Sequence, residues 1–193
     1  MSRGYRLLRA EFVTCDDHVV STEFVHHFSD DSSIARFEPH VPVTNPAHRP
    51  GVWAIDSQHA PLYWFPRQCP RVAAWPRTPH EVATFEAVWT TTAHRVHAVE
   101  HGWFDRVRTS TVFRYDLPSE PFSRWPDASG HWFAEESVEP VRVEAFSDLL
   151  GLHVAAGIEL RIVASLWPLH DLAVSDDWDF SIVRMANARP RAH

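Results

Sequence analysis

Proline most constrains what this chain can become. Pro39, Pro42, Pro46, Pro50, Pro66, Pro76, Pro79 and Pro140 fall between its apolar runs. Each fixes its own φ, lacks the N–H that a helix or ladder needs, and pushes the residue before it out of α space. The elements between them are therefore short.

Strand-type runs rich in β-branched and aromatic residues occur at 22–28, 52–55, 71–75, 94–100, 109–117, 132–138, 141–146, 159–163 and 179–184. Helical segments alternate with them. Asp30 to Ser33 offer N-caps for a short helix with Ile34 and Phe37 on its inner side, and Asp56 is a good N-cap for a helix over 57–65 that Pro66 stops. Further short helices are expected over 81–89, 103–108, from Ser147 to about residue 156 with Gly157 as terminator, and over 167–174. The proline-rich loop expected over 39–50, next to the candidate site, is suited to serve as a rim or lid. The prediction is one α+β domain of about eight short strands, in a mixed or split antiparallel sheet flanked by short helices.

A chain of 193 residues with 45% hydrophobic content can bury a core of its own. Residues 1–20 mix a basic start with Asp16-Asp17 and read as an N-terminal extension, or as a gene start placed too far upstream. The domain is expected over 21–187, with a tail over 188–193. A formal net charge of −7 argues against bulk attraction to nucleic acid or anionic membranes. No apolar run approaches the roughly 20 residues that span a bilayer. Cys15 and Cys69 form no CxxC pair, which points to a reduced, cytoplasmic setting and to Cys69 as a packing residue. Fourteen histidines supply metal-ligand types, yet no HExxH or HxH spacing occurs, so no metal site is assigned.

Residues 51–71, GVWAIDSQHAPLYWFPRQCPR, hold four aromatics, two arginines, a histidine and a cysteine. Trp53 and Tyr63 are suited to stack on a planar ring, or equally to fill a core. Arg67 and Arg71 bracket a proline-stiffened turn, and their guanidinium forks suit phosphate or carboxylate; surface ion pairs are the alternative. Upstream, a side-chain period of two puts Val25, His27 and Ser29 on one strand face and Phe24, His26 and Phe28 on the other.

The segments HHFSDDSSIARFEP, VWAIDSQHAPLYWFPRQCPR, WFAEESVEP and the ELR…WPL tail resemble a family of small bacterial proteins whose domain has no assigned function, over about residues 24–187. More distantly, His27-Phe28-Ser29, Tyr63 and the glutamates of WFAEESVEP resemble the ADP-ribosyltransferase and RNA 2′-phosphotransferase superfamily. That resemblance implies a superfamily-like fold and an NAD-like nucleotide ligand. It implies His27 holding ribose with help from Ser29, Tyr63 stacking, Arg67 or Arg71 on phosphate, and Glu136 (or Glu135) acting at the reacting carbon of an ADP-ribosyl or phosphoribosyl transfer. The other readings are a non-catalytic interaction module and, third, a metal-dependent hydrolase.

Overall fold

The computed structural model describes residues 23–41, 47–175 and 178–191. Within them the chain forms ten strands and four α-helices. The strands are β1 (Phe24–Ser29), β2 (Val52–Ile55), β3 (Arg71–Trp75), β4 (Val96–Glu100), β5 (Val112–Pro118), β6 (Ser123–Arg124), β7 (His131–Ala134), β8 (Arg142–Phe146), β9 (Glu159–Val163) and β10 (Asp179–Val183). The helices are α1 (Val82–Trp89), α2 (Phe104–Thr109), α3 (Leu149–Ala155) and α4 (Trp167–Ala173). The architecture is α+β. The proposed extension over 1–20 lies outside the described residues.

The strands make two sheets, one of six in the order β6-β7-β2-β1-β5-β8 and one of four in the order β10-β3-β4-β9. Every pairing is antiparallel except β4 with β9. One apolar cluster, with Val25, Val52, Ala54, Phe37, Tyr115 and Leu117, covers the outer face of the larger sheet. A second packs α1 and α4 on the smaller sheet through Val72, Ala74, Phe85, Trp89 and Leu166. The third joins the sheets: Phe28, Val112 and Phe146 of the larger meet Val99, Leu160 and Ile162 of the smaller. Strand alternation dictates this division, because each strand turns one set of residues to each side.

Two expected helices are absent. The Asp31 carboxylate caps Ser33 N–H at 2.8 Å, but the chain then runs extended to bridge Phe37 with Val138. The Tyr115 hydroxyl takes the Ile34 N–H and donates to Asp31 O, which replaces helical bonds with tertiary ones. Ile34 and Phe37 still face the core. Asp56 does cap the His59 N–H at 2.8 Å, yet only a 3-10 turn over Ala60–Tyr63 follows. Pro61 accounts for this, since it offers no N–H to Ser57 O and its ring would collide with that carbonyl. His59 and Tyr63 consequently share no helical face. The strand expected over 132–138 ends at Ala134, so Glu135 and Glu136 lie beyond it.

Candidate functional site

β1 pairs with β5 along its whole length, from Phe24 opposite Pro118 to Ser29 opposite Phe113. Against β2 it registers only where His26 meets Ile55. Beyond that pair the strands part, and the His27 imidazole takes up the exposed acceptor, with Nδ1 2.8 Å from Trp53 O. A carbonyl can only accept, so Nδ1 carries the proton and Nε2 is left as an acceptor. Burial pushes His27 below its ordinary pKa against the pull of the Trp53 carbonyl, and Arg67 and His40 add to the lowering. The ring is neutral at pH 7.

The parting opens a cavity of about 60 Å³ lined by His26, His27, Phe28, Trp53, Ala54, Ile55, Tyr63 and His131. Consecutive residues of both strands line it, as a hollow between two strand edges requires. A second cavity of about 150 Å³ shares His27, Phe28 and Tyr63 and continues between the sheets, past Ser29, Asp30, Phe65, Arg67, Arg71, Val112 and Arg184. Six of the seven residues expected at a site therefore line two adjoining hollows.

Their detailed roles differ from the expectation. Tyr63 is already stacked on Phe28, with centroids 6.0 Å apart and planes 11° apart, and lies beneath the Arg71 guanidinium. Its hydroxyl is 2.9 Å from His131 Nε2, and since His131 Nδ1 is bonded to Ser129 O, the tyrosine is the donor. Trp53 packs in an aromatic group with His48, Trp125 and Phe133. Ser29 Oγ accepts the Asp31 N–H and closes the end of β1. Cys69 is fully buried and its thiol is pushed up to about 12 by burial, which makes it inert.

Glu136 does not join this group. It is exposed on a separate hollow with Arg49, Pro121, Ser123, Phe133 and Glu135. β7 stops at Ala134, so Glu136 is not on a strand whose alternation would fix the sheet face it takes. The carboxylate that does line the arginine cavity is Asp30, whose oxygens are 3.3 Å from the Arg67 main-chain nitrogen.

Arg71 is 5% exposed, with Nε on Leu62 O at 2.8 Å and Nη1 on Cys69 O at 3.1 Å. Among the described residues no carboxylate forms an ion pair with Arg67, Arg71 or Arg184. Burial lowers the Arg71 pKa, and Arg184 adds to the lowering. Arg184 was not foreseen. It follows β10 at a left-handed φ of 58°, a conformation that a run of strand residues does not announce. An uncompensated buried guanidinium is costly, and an anion in the cavity would offset that cost. Among the described residues no group of three or more His, Cys, Asp or Glu is arranged to hold a metal ion, and no helix is long and apolar enough to cross a membrane.

A family model described as a family of unknown function (DUF6886) matches residues 26–188. No curated protein and no solved structure matches the chain.

Proposed function

The chain belongs to the family of unknown function DUF6886, and for this member we propose that the cleft between β1, β2 and the arginine cavity binds a phosphorylated, ribose-containing ligand of the NAD or ADP-ribose type. One observation carries the reading: Arg67, Arg71 and Arg184 surround a cavity in which none of them has a carboxylate partner among the described residues. Guanidiniums in that state select an anion with several oxygens. The neutral His27 beside them offers Nε2 to a ribose hydroxyl.

Ribosyl transfer additionally needs a carboxylate near the ribose carbon. Asp30, and not Glu136, is the acidic side chain lining that cavity. Asp30→Asn is thus the variant that separates chemistry from binding.

The test is a thermal shift against NAD, ADP-ribose, AMP and pyrophosphate, with nicotinamide release followed in parallel. A ligand at 100 times its dissociation constant stabilises by about 2.7 kcal/mol. A shift lost in Arg71→Met supports the reading, and no shift with any of the four overturns it. A shift without nicotinamide release favours the non-catalytic binding module, whose supporting observation is the exclusion of Glu136 from the cleft.

A further inference from the structure

His26, the neighbour of His27, belongs to a different constellation. It sits directly opposite Asp116 across the β1–β5 ladder, with Nδ1 2.8 Å from Asp116 Oδ1. Its Nε2 is 2.8 Å from Ser57 Oγ. The histidine and aspartate are 7% and 2% exposed, whereas Ser57 is exposed on the turn that follows β2. Three side chains from separate parts of the chain thus form one line of hydrogen bonds, running from the interior to solvent.

The directions of these bonds are fixed. Asp116 also accepts from Arg114 Nε at 2.8 Å and from the Arg142 guanidinium at 2.6 Å. A carboxylate so held stays ionised and can only accept, so His26 Nδ1 carries the proton. Nε2 therefore presents its lone pair to the Ser57 hydroxyl, the arrangement in which an imidazole withdraws a serine proton. Arg114 and Arg142 already neutralise Asp116, so charge balance does not require the histidine. Its bond to Asp116 sets the tautomer and the ring orientation. Burial holds His26 below its ordinary pKa, which keeps Nε2 free of a proton at neutral pH.

Acyl transfer also needs donors for the oxyanion. The turn leaves two main-chain donors unused: His59 N–H goes to Asp56 Oδ1 and Ala60 N–H to Asp56 O, while the N–H groups of Ser57 and Gln58 bond to nothing among the described residues. Ser57 lines none of the hollows described above. The acyl group it meets is accordingly small, or is presented on a larger molecule.

We propose that Ser57, His26 and Asp116 form a nucleophilic relay that cleaves small acyl esters. Ser57 Oγ adds to the carbonyl carbon as its proton passes to His26 Nε2. The tetrahedral adduct collapses, the C–O bond to the alcohol breaks, and the alcohol leaves with the proton from His26. Water, deprotonated by the same Nε2, then releases the carboxylic acid and restores the serine. The relay shares His26 with the lining of the hollow of about 60 Å³, but it uses neither His27 nor the arginines on which the nucleotide reading rests.

Fourteen histidines hydrolyse activated esters without any site, so the test is covalent labelling and not ester turnover. The intact protein is treated with an alkyl fluorophosphonate, and the adduct is counted by intact mass and located by peptide mapping. The expected result is one adduct, on Ser57, absent from Ser57→Ala and formed about 100-fold more slowly in His26→Gln. No adduct on the wild type, an adduct elsewhere, or equal labelling of Ser57→Ala overturns the relay. Ser57 is exposed, so Ser57→Ala is expected to fold, with circular dichroism as the check. It should also keep any nucleotide-dependent thermal shift, which makes failure of the relay distinguishable from failure of the nucleotide reading.

Discussion

The imidazole of His27 lies 2.8 Å from the main-chain oxygen of Trp53, so a side chain of β1 takes an acceptor that a paired strand would meet with its own N–H. The opening between the two strands and the bond that stabilises it are one feature. His27→Ala leaves that carbonyl without its partner, and an unsatisfied buried acceptor costs about 1–3 kcal/mol. Urea denaturation should show a midpoint lowered to match, and the ligand-dependent thermal shift should disappear. A variant as stable as the wild type would mean that the strands close over the gap.

Arg71 carries two separable roles. Its Nε and Nη1 satisfy the carbonyls of Leu62 and Cys69, and its charge serves the cavity. Arg71→Met removes both, and the two carbonyls left behind should cost about 1–3 kcal/mol. Arg71→Lys keeps the charge but loses the fork. Calorimetric titration with pyrophosphate should therefore find weakened binding in the lysine variant and none in the methionine variant. Equal affinity in all three would remove Arg71 from the ligand site.

Gly130, just before the start of β7, ties that strand to the turn after β2. Its φ of 74° lies in the left-handed region, its carbonyl accepts the Asp56 N–H at 2.9 Å, and a Cβ there would come 2.2 Å from His59 Nδ1. Gly130→Ala thus adds backbone strain of about 1–3 kcal/mol to a collision with a buried ring. Thermal melting should show a loss of at least that size, and the effect should shrink only in part in the double variant with His59→Ala, which removes the ring atoms but leaves the Cβ of residue 59 at 2.6 Å and the backbone strain.

Strands were legible from sequence where alternation and β-branching were strong: β2, β3 and β9 match the expected bounds to the residue. The two-residue β6 carries no periodicity and was invisible. The helices expected after Asp30 and Asp56 failed because a cap residue states that a turn can begin, while Tyr115 and Pro61 decided what followed it. At the candidate site, the density of 51–71 pointed to Trp53, Tyr63, Arg67 and Arg71, whereas His27 and Ser29 were pointed to by the resemblance to the ADP-ribosyltransferase superfamily and not by strand periodicity. Glu136, assigned by the same resemblance, lies outside the hollows these residues line, on the stretch that follows the end of β7 at Ala134. Ser57, His26 and Asp116 could not be found by spacing, since the ladder register alone brings His26 opposite a residue 90 positions away.

Acid should destabilise this protein well above the carboxylate range. His26, His27, His97, His131 and His153 are all held below the ordinary value of 6.5, with burial the largest cause in each. Below 6.5 the unfolded chain takes up protons that the folded chain refuses, so stability is full above that pH and is lost as pH falls from 6.5 towards the folded values. Each such proton contributes a slope of about 1.4 kcal/mol per pH unit. His97 has the clearest reason to resist protonation. His153 Nδ1 is bonded to Leu149 O, so His153 Nε2 must accept from His97 Nδ1, and His97 Nε2 is left buried without a partner. A proton there would be a buried, unpaired charge. Asp56 and Asp116, held below 3.8 by hydrogen-bonding partners that outweigh their burial, extend the same trend at lower pH. Urea midpoints measured between about pH 7.5 and about pH 5.5 should fall steadily below 6.5 with an unchanged m-value. His97→Gln, which keeps a donor for His153 and cannot titrate, should flatten the fall by up to one proton's slope. A wild-type midpoint independent of pH across that range would contradict the burial of these rings as neutral species.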